Sequence, residues 1–501
     1  MESPRVADRA VLISRSVRLD GAVLSFRTLV DAMAGPRTVW DAPGEATVIA
    51  GGAAATLTAR GPHRFDRIRE AADRLFRTGN VHAGTEAACP RLFGGFAFYG
   101  DTASGDDARD DPWVGFPDAR FVFPRVQVTL TESGPWLTVN AVGPDASVEA
   151  VEQRIADERE RLTALDDGND HTPRPGISSR RRTTTPEDWR EVVTTATDRI
   201  AAGTLRKVVL AQALEVDLVA DLAVCDVLDR LGEHYPNCTR FLVEPDTTGC
   251  DDTETEAPDD ERAGGGTTDS TTGETVAHSD GSSHDGSSRS AFFGATPERL
   301  VSLRGRTVET DALAGTTGRG ETPAEDEWLA RELMADPKNT HEHDLVADTI
   351  GEQLEPFAAS ISVGERAVRR LATVQHLHTP ITAELAEDTH VLSLVEALHP
   401  TPAVGGLPPE QALETIRETE PFDRGWYAAP IGWLDAAGNG TFAVGLRSAV
   451  ATRRRATLFA GVGIVGDSDP DREWDEVELK FRPMLDELEA ENHLPPEATR
   501  R

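Results

Sequence analysis

Short apolar runs rich in β-branched and aromatic residues recur along the whole chain, and none approaches the roughly 18 consecutive apolar residues that a membrane helix requires. Arg91–Phe98, Arg120–Val128, Lys207–Ala211, Arg240–Glu244, Ser290–Gly294, Phe442–Val450 and Thr457–Val465 read as strands. Segments of helical period lie between them. Thr185, Pro186 and Asp188 supply an N-cap, a first-turn proline and a capping-box acid, and Val192, Val193, Ala196 and Ile200 follow at helical spacing. This predicts a helix of about 16 residues. Glu325–Met334 and Asp344–Leu354 read as further helices, the second opened by Glu342. A soluble, cytoplasmic chain mixing α and β elements is the expectation, since Met1–Asp20 interleaves charges with apolar residues and builds no signal-peptide core.

Two polar stretches interrupt this pattern. Residues 245–290 are rich in Gly, Ser, Thr, Asp and Glu and nearly free of large apolar side chains, so they cannot repay the entropy of folding. They are expected to be a disordered insertion in place of a hairpin turn between the flanking strands. Asp166–Thr185, with Pro173, Pro175 and the run Arg180–Arg182, reads as a linker or long loop.

With 86 acidic against 51 basic residues the formal charge is −35, which repels nucleic acid and anionic membrane and removes both from the expected partners. Only Lys207, Lys338 and Lys480 are lysines; the other basic residues are arginine. An acidic, lysine-poor surface suits concentrated salt, where repulsion between carboxylates is screened, and a halophilic cytosol is the expectation. A lysine that survives in such a chain marks a place where arginine cannot serve, because lysine alone of the two can lose its proton near neutrality. The four cysteines form no CxxC pair, against both a zinc ribbon and a disulfide framework.

The chemistry-bearing strings fall in the later part of the chain. Gly461–Gly466 reads GxGxxG after a strand, but the next helix-start signal, Asp469-Pro470, comes too late for a dinucleotide loop. Close approach of the backbone to another ligand is the better reading. His341 and His343 diverge on a helix, so zinc is not expected there. Glu473 and Glu476 lie one turn apart on one helix face and, with Glu342, form an oxygen-only set suited to Mg²⁺. Solvated carboxylates are the ordinary alternative in so acidic a chain. Lys207 is either a solvated strand end or a working amine, and Lys480, one turn beyond Glu476, can pair with it or bind a substrate anion. Pro297 ends a strand and leaves Glu298 at its tip, and the Gly/Thr-rich string Thr310–Gly320 offers backbone N–H groups to an anion.

In order, these strings resemble the chorismate-utilising enzymes, the family of anthranilate, aminodeoxychorismate, salicylate and isochorismate synthases. The resemblance runs from Glu187 to Leu488 and rests on Lys207–Ala211, Gly294–Glu298, Leu313–Thr316, Glu342-His343, Gln375–Leu377, Leu398–Gly406, Arg424–Tyr427, Val444–Ala449, Ala460–Val465 and Glu473–Lys480. It implies an α+β fold, a four-layer α/β/β/α domain over residues 1–501 with two stacked, mainly antiparallel sheets. Residues 1–165 would add strands and 187–490 would carry the motifs.

The resemblance also implies Mg²⁺ held by Glu342 and Glu476 with Glu473 close by, and chorismate held by Gly315, Thr316, His376, Tyr427, Arg447, Gly461, Gly463 and Lys480. Members that add ammonia have glutamine where Lys207 stands, whereas members that add water have lysine. The expected reaction is therefore chorismate to isochorismate for menaquinone assembly, Lys207 taking a proton from water and Glu298 giving one to the departing hydroxyl, with no glutamine amidotransferase subunit. Elimination onward to salicylate is the rival reading, and ammonia use a more distant one. One departure is Ala211-Gln212, where this subfamily commonly has Ala-Arg, an arginine taken to be structural.

Overall fold

The 13-residue strand Ala119–Thr131 pairs with Leu92–Phe96 through its first half and with Gly134–Gly143 through its second, and so belongs to two sheets at once. The computed structural model describes residues 11–19, 25–77, 79–101, 111–166, 171–245 and 290–490; the segment expected to be a disordered insertion lies, but for its edges, outside the described residues. The strands flanking it, Thr239–Val243 and Ala291–Thr296, are antiparallel neighbours.

Across the first sheet the order is Gly79–His82, Val11–Arg18, Gly134–Gly143, Ala119–Thr131, Thr47–Ala59, Arg37–Asp41, Thr239–Val243, Ala291–Thr296, Ser448–Ala451, Arg455–Ile464, Lys207–Leu218 and Ile177–Arg182. The second leaves Ala119–Thr131 through Leu92–Phe96, Pro430–Leu434, Gly440–Val444, Arg299–Arg304 and Thr307–Gly318 to Val374–Leu385. Apart from Val11–Arg18 with Gly79–His82, the described pairs are antiparallel. Helices Pro186–Ala201, Val224–His234, Pro409–Thr419 and Pro470–Leu488 pack on the first sheet, and Pro323–Ala335, Pro337–Leu354 and Val391–Leu398 on the second. This is the expected α+β class with the α/β/β/α order.

The chain crosses from one sheet to the other at two places that matter for the site. Pro297 and Glu298 separate Ala291–Thr296 from Arg299–Arg304, and Gly445–Arg447 separate Gly440–Val444 from Ser448–Ala451. The crossings are tied together: Val444 N donates to Glu298 O at 3.0 Å and Ala295 N to Arg447 O at 3.2 Å. Phe442–Val450 is therefore two strands, a correction to the single strand its apolar run suggested. Arg447 sits at φ +47, a left-handed conformation that interrupts a ladder and is costly for a residue with a Cβ.

Local signals explain much of the rest. Thr185 caps Pro186–Ala201 in a reciprocal box with Asp188, and Trp189, Val193 and Ala196 are its buried face. Two other expectations need correction. Ile177–Arg182, read as part of a loop, is an edge strand on Lys207–Leu218; its exposed Arg180 and Arg181 are the charges that protect an edge from pairing further. The helix expected from Asp344 begins at Pro337, capped by Asp336, so Glu342 lies in its second turn and does not open it. The polar first turn, Lys338-Asn339-Thr340, hid that start because it offers no apolar period.

Aromatic side chains from the N-terminal part support the site from below. Trp113 stacks on Phe459 with ring centres 5.4 Å apart and meets Phe292 edge-on, while Tyr427 stacks on the same Phe459 at 5.1 Å. Burying each such ring contributes about 1.5–3 kcal/mol. Phe98 N donates to Gly425 O at 2.7 Å, fixing the turn that carries Arg424–Tyr427. Among the described residues no helix is long and apolar enough to cross a membrane.

Candidate active site

Strand Lys207–Leu218 is buried on both faces over its first eight residues, and its alternation sends Lys207 and Val209 into a cavity while Gln212 faces away. Gln212 accepts from Arg182 Nη1 at 2.7 Å and does not line the cavity, consistent with a structural place for that position. Lys207 is fully buried, and its Nζ lies 2.9 Å from Glu342 Oε1. A solvated strand end is thereby excluded.

Glu342 reaches this position because the facing strand has no side chain there. A Cβ on Gly463 would stand 2.3 Å from Glu342 Oε1 and 3.0 Å from Lys207 Cε. The glycine strand, read from sequence as room for a ligand, is approached at Gly463 by a carboxylate and an amine of the same chain. Gly461 leaves similar room for the Tyr427 hydroxyl, which a Cβ would meet at 3.1 Å.

Glu298 lines the same cavity from the crossing between the sheets. Burial pushes its carboxyl up to about 7, against the opposing pull of the Lys207 ammonium, so near neutrality a large fraction carries a proton to give. Burial also raises the Glu342 carboxyl, but the Lys207 ammonium and its hydrogen bond outweigh this and hold it below the usual range.

On a third wall, His376 Nδ1 lies 3.1 Å from Thr316 Oγ1 and its Nε2 2.8 Å from Arg447 Nη2. A guanidinium only donates, so Nε2 accepts and the ring proton resides on Nδ1. Burial, then Arg447, depresses the His376 imidazole well below its ordinary value and keeps it neutral. Arg447 Nη1 is buried and makes no hydrogen bond among the described residues, a donor free for an anionic ligand. Gly315, at φ +76, sits at a bulge within strand Thr307–Gly318, beside Thr316.

Gly315, Thr316, Tyr427, Gly461, Gly463, Glu476 and Lys480 also line this cavity; of the site residues expected from sequence, Glu473 alone does not. Each lysine of the chain holds one of the three expected metal ligands: Lys207 with Glu342 at 2.9 Å, Lys338 with Glu473 at 2.8 Å and Lys480 with Glu476 at 2.8 Å. Lys480 also donates to Gly461 O at 3.0 Å. The oxygen-only, anionic chemistry of this set fits Mg²⁺. Among the described residues, however, no three such side chains converge on one point as they stand, and each of the three carboxylates is paired with a lysine.

Sequence reasoning missed Lys338 as part of this network, although lysine scarcity had flagged it. It also gave no separate place to Arg424 and Glu420. Buried Arg424 donates to Val209 O and Val404 O, both at 2.8 Å, and pairs with Glu420, which accepts from Ala211 N at 2.8 Å. This pair clamps the Lys207 strand from behind. His343 bonds Thr379 at 2.8 Å and His378 bonds Asp311 at 2.8 Å, so neither points to a shared metal.

The sequence matches the family described as Chorismate binding enzyme over residues 3–250 and 283–489. It is 34% identical over 487 residues to the salicylate biosynthesis isochorismate synthase of Pseudomonas aeruginosa, spanning 96% of this chain and 91% of that one. It is 32% identical over 507 residues to the isochorismate synthase MenF of Bacillus subtilis, spanning 98% and 96%. In fold it is similar to the menaquinone-specific isochorismate synthase MenF of Escherichia coli, with a TM-score of 0.73 at 24% identity over 96% of this chain and 95% of that one. Anthranilate synthase component I of Streptococcus pneumoniae shares the fold at a TM-score of 0.63 and 20% identity, over 97% and 93%.

Proposed function

Because this chain belongs to the chorismate binding enzymes, we infer that its cavity takes chorismate and that the protein is an isochorismate synthase. The observation that carries the reading is the placement of Lys207 and Glu298 on the walls of one cavity, where an amine and a buried carboxylic acid meet the same small ligand.

In this mechanism Lys207 first releases to solvent the proton that pairs it with Glu342 and then, as the neutral amine, takes one from the water that attacks ring carbon 2. Glu298 donates its proton to the hydroxyl at carbon 4, which leaves as water, so one water enters and one departs and the net change is an isomerisation. The free Nη1 of Arg447 and the Tyr427 hydroxyl receive the enolpyruvyl carboxylate, and neutral His376 stands beside the ring. Glu342 and Glu476, with Glu473 behind them, are the residues that would hold Mg²⁺, which supplies positive charge for the ring carboxylate. Water as nucleophile requires no ammonia-delivering subunit.

The MenF name shared by the Bacillus subtilis relative and the Escherichia coli structure supports menaquinone assembly as the use of the product. The Pseudomonas aeruginosa relative, named for salicylate biosynthesis, is also an isochorismate synthase by name, so likeness to it does not argue for pyruvate elimination here. Incubation with chorismate and Mg²⁺ in high salt, with products separated by chromatography, tests the assignment. Isochorismate alone is expected. Salicylate with pyruvate, or anthranilate formed only when ammonia is added, would overturn it.

A further inference from the structure

Lys338 occupies a position that helix electrostatics disfavour. It lies in the first turn of Pro337–Leu354, where the unpaired N–H groups already carry partial positive charge and an ammonium is repelled. Its backbone is fixed there, since Lys338 N donates to Asp336 Oδ1 at 2.8 Å and Asn339 Nδ2 to Asp336 Oδ2 at 2.9 Å. What offsets the repulsion is Glu473, only 2% exposed, in the first turn of a second helix, Pro470–Leu488. A buried carboxylate in the first turn of one helix thus meets the ammonium carried by the first turn of another. In a chain whose other cations are nearly all arginine, the use of lysine here points to a need for a compact charge with no planar fork.

Lys338 differs from the other two lysines in one respect. Lys207 and Lys480 line the cavity and have ligand atoms to turn to when their carboxylates are taken by a metal, whereas Lys338 does not line it and, among the described residues, forms its ion pair with Glu473 alone, Glu342 and Glu476 acting on it from farther off. We propose that Lys338 sets the affinity and selectivity of the cation site by holding Glu473 out of direct coordination, leaving Glu342 and Glu476 to meet the metal.

Two carboxylates completed by water and substrate suit Mg²⁺, which retains waters in a strict octahedron. A third would suit Ca²⁺, which takes six to eight oxygens in looser geometry. This inference rests on the Mg²⁺ reading above.

The test is calorimetric titration of the chelator-stripped full-length protein with Mg²⁺ alone and with Ca²⁺ alone, at one salt concentration. Lys338→Gln is expected to bind Mg²⁺ about tenfold more tightly than wild type, and to gain more for Ca²⁺ than for Mg²⁺, because site charge and ligand number both rise. Lys338→Arg, which keeps the charge but not its compact form, should gain less Mg²⁺ affinity than Lys338→Gln. Adding Glu473→Gln to Lys338→Gln should remove the gain. Unchanged or weaker binding of both cations by Lys338→Gln overturns the proposal. Should that variant fail to fold, the double variant, which leaves no buried charge unpaired, decides: Mg²⁺ affinity near wild type supports the proposal, and a tenfold loss shows Glu473 to be a direct ligand and overturns it. A wild-type protein that takes up no Mg²⁺ overturns the metal reading and this inference together, whereas wild-type binding without a gain in the variant overturns this inference alone.

Discussion

Lys207 Nζ and Glu342 Oε1 stand 2.9 Å apart, both buried, in a gap that exists only because residue 463 has no side chain. The amine proposed as base and the carboxylate proposed as metal ligand are therefore one coupled pair, and changes to either act on both.

Replacing Lys207 with Gln keeps a hydrogen-bond donor to Glu342 and removes the base. Turnover of chorismate should fall about 100- to 10,000-fold, while calorimetry still detects chorismate binding. Turnover near the wild-type rate would remove the role assigned to Lys207.

Glu298 must be protonated to act as the acid, and its carboxyl is pushed up to about 7 by burial. The rate should accordingly decline as pH rises through that value, and Glu298→Gln should be slow at every pH with this limb absent. Stability follows the same sign. A folded-state value above the unfolded one stabilises most at low pH, and the contribution is lost as pH rises through about 7. Thermal melts at about pH 6 and about pH 8 should therefore show Glu298→Gln gaining on wild type at the higher pH.

Gly463→Ala puts a methyl group 2.3 Å from Glu342 Oε1. Overpacking of this kind costs about 1–3 kcal/mol, read as a lowered midpoint in urea. Because the clash is at the ion pair, activity should fall by more than tenfold even in protein that remains folded.

Arg447→Ala removes the free guanidinium nitrogen and, because alanine keeps a Cβ, leaves the left-handed strain at φ +47 in place. A hydrogen bond to a charged group contributes about 1.5–3 kcal/mol, so KM for chorismate should rise roughly 10- to 150-fold. An unchanged KM would exclude Arg447 as the carboxylate grip.

A net charge of −35 makes the folded state self-repelling when ions are scarce. The melting temperature should climb as KCl is raised from about 0.1 M to about 2 M. A flat response would argue against adaptation to concentrated salt.

The helix at Pro186–Ala201 was readable because a cap, a proline and an apolar period agree within a few residues. The room at Gly463 was readable because only a missing Cβ explains glycine in such a strand. Lys338 was harder: a lysine after proline in a polar turn looks solvated, and only its partner 135 positions away gives it meaning. The break at Arg447 was invisible for a related reason, since Phe442–Val450 is apolar enough to be one strand and what divides it is a change of sheet. The clamp of Arg424 and Glu420 on the Lys207 strand is likewise a matter of distant backbone atoms, to which local pattern is blind.

The paired crossings at Glu298 and Arg447 are stitched to each other by their main chains. Proton donor and anion grip therefore ride on one seam, and if the two sheets slide, both travel as a single piece and the span offered to a ligand is preserved. Outlying strands can drift in sequence without retuning that span, but a change at the seam shifts donor and grip together.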